Sequence, residues 1–466
     1  MRYNNRIITL MVAICVLFLS LAVYLTYYTL AEAPKVVQSS YNRRLFEAED
    51  KVIRGSVTDR SGTVLAKSFM EDGKQVREYT QGGLYTHTIG YSSRNYGKSA
   101  LELRYNKELL YTDVVSEVFS PDVKQTGATL RLSADNEMTK KAASLLRGRN
   151  GSVIAIGVKT GEILCMYSNP TFDPNESKLA DEWANLADDD DSPFVARATS
   201  GLYAPGSTFK TVIAAAAAEN GLADFSMEDT GVVRIDGKDF KNSGEHVYGS
   251  IDLKSGFAKS SNVMFATLGV QLGESVLRDV VSRFWIGNEI EFDISTSKSR
   301  FPYDTAMSRT DMASVGIGQG KLLVTPLNMA LIAQSIANGG VMMKPYLVES
   351  ATLSSGGILY RARPQALTTV CSAAAADKVG ELMRECVVSG TGARAALSGT
   401  AVAGKTGTAE NERADKEHAW FIGYAPYENP TVAVAVMCEY SGSGGGSVCA
   451  PIAREILRMG LKILSE

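Results

Sequence analysis

The longest apolar stretch of the chain comes first: Ile7–Tyr28 carries 22 residues and no charge. A helix rising about 1.5 Å per residue makes that run long enough to cross a hydrocarbon core of about 30 Å. Ala31-Glu32-Ala33 has the spacing of a signal-peptide cleavage site. A cleaved leader, however, has an apolar region of only about 7–15 residues, and Pro34 stands where the cut would fall. The pattern predicts an uncleaved anchor at 7–28 behind a short tail at 1–6. Arg2 and Arg6 precede the span while Lys35, Arg43 and Arg44 follow it, so flanking charge does not decide its orientation.

Beyond the span polarity dominates, with a helical pattern near Tyr41–Ala48. Ile53–Ala66 alternates apolar and polar positions on either side of Asp59-Arg60-Ser61-Gly62, which predicts a β-hairpin. Gly82–Leu103 is rich in Gly, Tyr and Ser and predicts irregular extended structure. Residues 29–128 are too broken to hold an enzyme core and read as a small β-rich pedestal. A larger domain is expected over 129–466. Its first helix follows Ser133-Ala134-Asp135, and Gly151–Ser168 predicts two buried strands joined at Lys159-Thr160-Gly161. Asn169–Ala198 is a polar crossing. Helices are expected at Thr325–Asn338, Ala373–Val388 and Ala450–Leu464, and strands at Ala419–Ala425 and Thr431–Tyr440. Strands early, helices in the middle and strands at the end predict an α+β sheet completed by both ends of the domain.

Tyr203–Gly221 departs from these patterns. A turn at Pro205-Gly206 places Ser207 at a helix start, where serine is a favoured cap. The helix runs through five consecutive alanines and ends near Asn220-Gly221. So little side-chain bulk lets it pass through the middle of a domain with other layers close against it. Ser207 and Lys210 are three apart and share one face. A serine hydroxyl is a weak nucleophile and needs a base within reach. A lysine serves if burial and a neighbouring cation disfavour its ammonium form.

The balance of 48 basic to 51 acidic residues leaves no field for nucleic acid. Six cysteines without a C-x-x-C pair and three histidines offer no metal site, and Asp188–Asp191 reads as a solvated loop. No cofactor is implied. Cys438 and Cys449 flank the loop Ser441–Ser447 and read either as an extracellular disulfide or as two buried thiols.

S-x-x-K alone arises by chance about once or twice in a chain of this length. Two further signals follow it. Lys259–Asn262, KSSN, stands before an apolar helix at Val263–Leu272, and Gly404–Ala409, GKTGTA, stands before a polar run. The ordered triple S-x-x-K, S-x-N, K-T-G is the set of β-lactamases and penicillin-binding proteins. In it Ser207 attacks a carbonyl and Lys210 takes its proton. Ser260 relays that proton to the leaving nitrogen, and Asn262 holds the substrate amide and fixes Lys210. Lys405 is the second cation, which keeps Lys210 neutral and draws a substrate carboxylate. Thr406 and Thr408 offer that carboxylate their hydroxyls, and Gly407 leaves room for the substrate backbone. The backbone N–H groups of Ser207 and Thr408 are candidates for an oxyanion hole.

On these residues the chain resembles a class B, monofunctional penicillin-binding protein. Arg54-Gly55, Asp59-Arg60, Gly62 and Leu65-Ala66 are similar to the pedestal motif of that class. Gly161-Glu162-Ile163-Leu164, Ser168-Asn169-Pro170 and Phe172-Asp173-Pro174 resemble the opening of its catalytic domain. Gly318-Gln319-Gly320, Thr325-Pro326, Gly390-Thr391-Gly392 and Trp420–Pro426 extend the likeness over nearly the whole chain. The resemblance implies a five-stranded antiparallel sheet with helices on both faces and a helical subdomain. It also implies a D,D-transpeptidase that crosslinks peptidoglycan stem peptides ending in D-Ala-D-Ala and is acylated by β-lactams. The abbreviated pedestal fits the short-chain group. Glycan polymerisation is then left to a membrane glycosyltransferase of the RodA/FtsW type, and the catalytic domain must face away from the cytoplasm.

Several rivals share these residues. Gly399–Thr406 satisfies the P-loop pattern, which requires a buried strand before Gly399 and a helix beginning at Lys405; the flanking residues predict neither. Gly442-Ser443-Gly444 lacks the third glycine of a dinucleotide loop. A β-lactamase would need a water-activating base, for which Glu289 or Glu291 are candidates without a supporting spacing. A β-lactam sensor would share the fold. His418 reads as a strand-start residue at the cleft edge.

Overall fold

The computed structural model describes residues 2–28, 52–112, 125–411 and 416–465, so the helix expected near Tyr41–Ala48 lies outside the described residues. Helix α1 (Arg2–Tyr27) contains the apolar stretch Asn5–Tyr27, with a mean hydropathy of 2.7 and no burial against the rest of the chain. It is the one helix among the described residues that is long and apolar enough to cross a membrane.

The hairpin at 53–66 forms as Val57–Thr58 paired with Val64–Glu71. Asp59 makes the turn: its Oδ1 accepts the N–H groups of Ser61 and Thr63 at 2.9 and 2.7 Å. The second strand runs on to Glu71 and reverses at Asp72-Gly73, both at positive φ, into Lys74–Tyr79. These strands share one six-stranded sheet with Thr129–Leu132, Val348–Thr352 and Ile358–Arg361. The residues on either side of 128/129 therefore pair within a single sheet.

Gly82–Leu103 differs from the extended structure expected of it, since it holds a 3-10 turn at Gly82–Tyr85 and a helix at Ala100–Arg104. The helix places Glu102 at 0% exposure between two arginines. Arg54 Nε reaches Glu102 Oε2 at 2.5 Å, and Arg77 Nε reaches Oε1 at 2.8 Å. Burial alone would push this carboxyl up. The Arg54 and Arg77 charges and their hydrogen bonds outweigh it and hold the group at about 2. The polar crossing at 169–198 likewise contains a helix, Glu176–Ala187, whose Trp183 stacks on Tyr96 with ring centroids 4.0 Å apart. Trp183 also meets Tyr91 edge-on, so a pedestal contact distant in sequence supports a helix whose composition reads as a loop.

The central sheet consists of β1 (Gly151–Gly157), β2 (Ile163–Asn169), β3 (Ala403–Ala409), β4 (His418–Ala425) and β5 (Val432–Cys438). The order is β3-β4-β5-β1-β2 with every neighbour antiparallel. Both ends of the domain thus complete one sheet. Alternate residues enter opposite cores: Ile154, Ile156, Ile422 and Ala435 lie on one face, and Val153, Ala155, Phe421 and Val436 on the other. Helix α2 (Asn136–Leu146), capped by Asp135, covers the second face with α7 (Cys449–Ser465). On the first face, α5 (Pro326–Ala337) lies across β1, β4 and β5. Helix α3 (Lys210–Glu219), buried from Lys210 through Ala217, packs against α4 (Asn262–Arg283) and α6 (Ala373–Val388). Its alanines permit that close approach on several sides. Helix α4 extends well beyond the expected Leu272, bending at Gly273.

Two sequence alternatives are resolved here. Lys405 and Thr406 lie inside β3 and no helix begins at Lys405, so the P-loop frame does not form. Cys438 and Cys449 are both buried free thiols.

Replacing Glu102 by Ala leaves two arginines buried beside it without a partner and is expected to cost about 3–5 kcal/mol. Because the folded pKa lies below the unfolded value, the stabilisation is present above about pH 4.5 and is lost as pH falls towards 2. Thermal unfolding of parent and Glu102→Ala at pH 7 and pH 3 measures it, with the gap between them narrowing at the lower pH.

Candidate active site

The nucleophile segment reaches the sheet edge as a 3-10 turn, Gly206–Phe209, and the α-helix begins only at Lys210. The expectation that Ser207 caps this helix fails, because no side-chain cap bond is made there. The Ser207 hydroxyl is thereby left to the cleft it lines. Gly206, at φ 53, packs so closely on β3 that a Cβ would stand 2.6 Å from the Thr408 carbonyl oxygen. Gly407 answers it from the strand: a Cβ there would lie 2.9 Å from Thr208 Cγ2 and 3.0 Å from the Pro205 carbonyl oxygen. The missing side chain of Gly407 thus makes room for the nucleophile turn, a use the sequence reading had assigned to substrate backbone.

Ser260 has φ 61, the left-handed region, which is uncommon for a residue with a Cβ. That conformation presents both its carbonyl and its hydroxyl to Lys210, whose Nζ lies 2.7 Å from Ser260 O, 3.2 Å from Ser260 Oγ and 2.8 Å from Asn262 Oδ1. From the other side Lys405 Nζ donates to Ser260 Oγ at 2.9 Å and to the Thr406 carbonyl at 3.1 Å. The side chains of both lysines are fully buried, Lys210 against the Phe265 ring and Lys405 against Phe257, each at 5.5 Å. Burial, and then the Lys405 charge, depress Lys210 well below the ordinary lysine value. Lys405 is lowered too, by burial, but less far. Lys210 is accordingly the amine that gives up its proton first.

Thr406 Oγ1 and Thr391 Oγ1 are paired at 2.5 Å beside the cleft, and Cys386 Sγ lies 3.5 Å from Thr391 Oγ1. Ser207, Ser260, Asn262, Thr406, Gly407 and Thr408 all line one cleft of about 880 Å³, with Lys210 and Lys405 beneath its floor. All eight residues singled out in the sequence therefore converge. The sequence reading gave no role to Thr391, whose hydroxyl joins Thr406, or to Gly444–Gly446, which close one wall. It also passed over Asn242, which lines the same cleft. The G-T-G triplet was the signal for Thr391 and the glycine-rich loop Ser441–Ser447 the signal for Gly444–Gly446, whereas the isolated Asn242 carries none. His418 opens β4 but does not line the cleft. Its ring lies between Tyr203 and Tyr440, and its Nδ1 accepts the Tyr440 N–H at 3.3 Å. Glu289 and Glu291 are exposed and paired with Lys298 and Lys344 at 3.6 and 2.9 Å, away from the cleft.

Gly407→Ala places a methyl group against Thr208 and Pro205 and is expected to destabilise the fold by about 1–3 kcal/mol through overpacking. Thermal or urea unfolding measures this; an unchanged midpoint would contradict the tight seat of the turn.

A family model described as the penicillin-binding protein transpeptidase domain matches residues 151–458, and one described as the penicillin-binding protein A dimerisation domain matches 54–128. The peptidoglycan D,D-transpeptidase PbpA of Mycolicibacterium smegmatis is 31% identical over 498 residues, covering 98% of this chain and 99% of its own length. The peptidoglycan D,D-transpeptidase MrdA of Acinetobacter baumannii is 29% identical and covers 82% of this chain and 66% of itself. Among solved structures, penicillin-binding protein A of M. tuberculosis as its ceftriaxone acyl-enzyme superposes with a TM-score of 0.83 at 28% identity, covering 89% of this chain and 99% of that one. The D,D-transpeptidase domain of an Eggerthella lenta peptidoglycan glycosyltransferase gives a TM-score of 0.81 at 34% identity over 89% and 99% of the two chains. On the match over 151–458, the near-complete overlap with PbpA and the shared fold, the chain belongs to the class B penicillin-binding protein transpeptidases.

Proposed function

We propose that this chain is a serine D,D-transpeptidase of peptidoglycan, with Ser207 as nucleophile and Lys210 as its base. The observation that carries this reading is the Ser260 hydroxyl, held between the buried amines of Lys405 and Lys210. A neutral Lys210 has two N–H donors and one lone pair. The Ser260 carbonyl and Asn262 Oδ1 accept only, so they take both donors and leave the lone pair free for a hydroxyl.

In acylation Ser207 Oγ bonds to the penultimate D-Ala carbonyl carbon while its proton passes to Lys210. The Ser260 hydroxyl, polarised by the Lys405 ammonium, relays that proton to the departing nitrogen as the C–N bond breaks, releasing D-Ala. An amine on a second stem peptide then attacks the ester, gives its proton back through Lys210 and restores Ser207. Lys405 and Thr408 would hold the terminal carboxylate, with Thr406 acting through its pairing to Thr391. The N–H groups of Ser207 and Thr408 would face the oxyanion. A β-lactam follows the same first half and remains as the ester. Helix α1 would anchor the enzyme in the membrane with its catalytic domain on the extracytoplasmic side, beside a RodA/FtsW-type glycosyltransferase that supplies glycan. The β-lactamase reading is disfavoured because Glu289 and Glu291, the two carboxylates considered for deacylation, lie outside the cleft.

Penicillin G is expected to add one equivalent of mass to the detergent-solubilised chain as a long-lived adduct, and Ser207→Ala is expected to show none. Rapid turnover would indicate a lactamase. Failure to join stem peptides despite acylation would indicate a sensor. The acylation rate should fall as pH drops through the lowered Lys210 value, because the ammonium form cannot accept a proton. Removing the cation in Lys405→Ala should move that acid limb to higher pH and lower the plateau.

A further inference from the structure

Behind the turn that carries Ser260 and Asn262 lies a polar cluster built on Asp229 and Asn242, which belong to none of the three motifs. Asp229 closes the strand Ser226–Asp229 at 0% exposure. Its Oδ1 accepts the Gly231 N–H and the Asn242 amide, each at 2.8 Å. Its Oδ2 accepts the same amide at 3.0 Å and the Ser261 hydroxyl at 2.6 Å. All of these donors are neutral, and a buried carboxylate without a paired cation is a costly group to keep.

The donors connect the carboxylate to the catalytic turn. Asn242, 3% exposed, accepts the N–H groups of Asn262 and Val263 on its Oδ1 at 2.8 and 3.2 Å. Ser261 Oγ accepts the Met264 N–H at 2.9 Å while donating to Asp229. Three successive N–H groups at the start of α4, which have no partner within the helix, are thus fastened to this cluster. With residues 261–264 fastened, Ser260 is confined to its left-handed conformation, which survives only where the surroundings over-determine it. That conformation puts the Ser260 carbonyl and hydroxyl on Lys210.

We propose that Asp229 and Asn242 are positioning residues for the transpeptidase reaction, holding Ser260 and Asn262 against both lysines. This rests on Lys210 being the base, as argued above. The charged and titratable groups that act on Lys210 come from three directions. Lys405 on β3 disfavours its ammonium, as does burial, which is the larger effect. Asp229 and Cys386 on α6 favour it, and the Phe265 ring of α4 lies at 5.5 Å. Asp229 therefore opposes Lys405. A base depressed too far would be neutral but a poor proton acceptor.

The test follows acylation by penicillin G across pH, by intact mass of the full chain in detergent, with thermal unfolding beside it. Asp229→Asn is expected to move the acid limb to lower pH, because a negative charge that favours the ammonium is gone, and to lower the plateau about tenfold. Asn242→Ala and Ser261→Ala keep that charge, so their plateaus should fall by a similar factor with the limb in place. The limb shift confined to Asp229→Asn is a readout that loss of packing alone would not produce. The proposal is overturned if folded variants acylate within about twofold of the parent with an unmoved limb. It is also overturned if plateau losses merely track the melting temperature while the Asp229→Asn limb stays put. Should Asp229→Asn not fold, wild-type plateaus in the other two overturn it and about tenfold losses at near-parental melting temperature support it. A parent acylated on Ser207 with indifferent variants sinks this inference alone, whereas a parent that forms no adduct sinks the Ser207 reading with it.

Discussion

Two lysine amines share one serine hydroxyl inside a protein interior, and the rest of the architecture depends on that contact. Ser260 Oγ lies 2.9 Å from Lys405 Nζ and 3.2 Å from Lys210 Nζ. Two ammonium groups so near each other, away from bulk water, repel strongly because the effective dielectric there is low. The relief is for one of them to be neutral. Lys210 is the one depressed further, by burial and by the Lys405 charge beside it. A neutral amine beside a hydroxyl is the chemistry that a serine nucleophile requires.

Holding that contact takes three elements from distant parts of the chain. Helix α3 supplies Lys210, the turn before α4 supplies Ser260 and Asn262, and the edge strand β3 supplies Lys405. Close approach is obtained by omission of side-chain bulk: alanines along α3, and glycines at 206 and 407 where turn and strand meet. The sheet gives β3 its rigidity through β4, and the two faces of that sheet are filled by alternate residues of the same strands. Rigid elements can hold a reactive pair within a few tenths of an ångström, which a loop-built site could not.

Relatives of this chain are described as peptidoglycan D,D-transpeptidases, and solved neighbours carry β-lactam acyl groups. The cleft is consistent with both, because an acyl donor and its mimic present the same carbonyl and carboxylate. The pedestal contributes no cleft-lining residue among those described. Its buried Arg54–Glu102–Arg77 cluster instead gives it rigidity, and it shares a sheet with strands from the catalytic segment.

Features with a short period or a fixed local spacing were legible from residues alone. The apolar span, the hairpin at 53–66, the helices at 326–337 and 373–388, the central strands and the three motifs all belong to this kind, because each is written within a few neighbouring residues. The tertiary structure decided what depends on distant partners. It turned the expected cap Ser207 into a free hydroxyl, since Gly206 and β3 impose a 3-10 turn. It made helices of segments that read as irregular, since Glu102 and Trp183 find their partners far away in sequence. It set Ser260 in the left-handed region, and it brought Asp229 and Asn242 to the motifs without any spacing to announce them. Side-chain type and short-range order reside in sequence, whereas burial, charge proximity and backbone strain exist only once the chain has closed on itself.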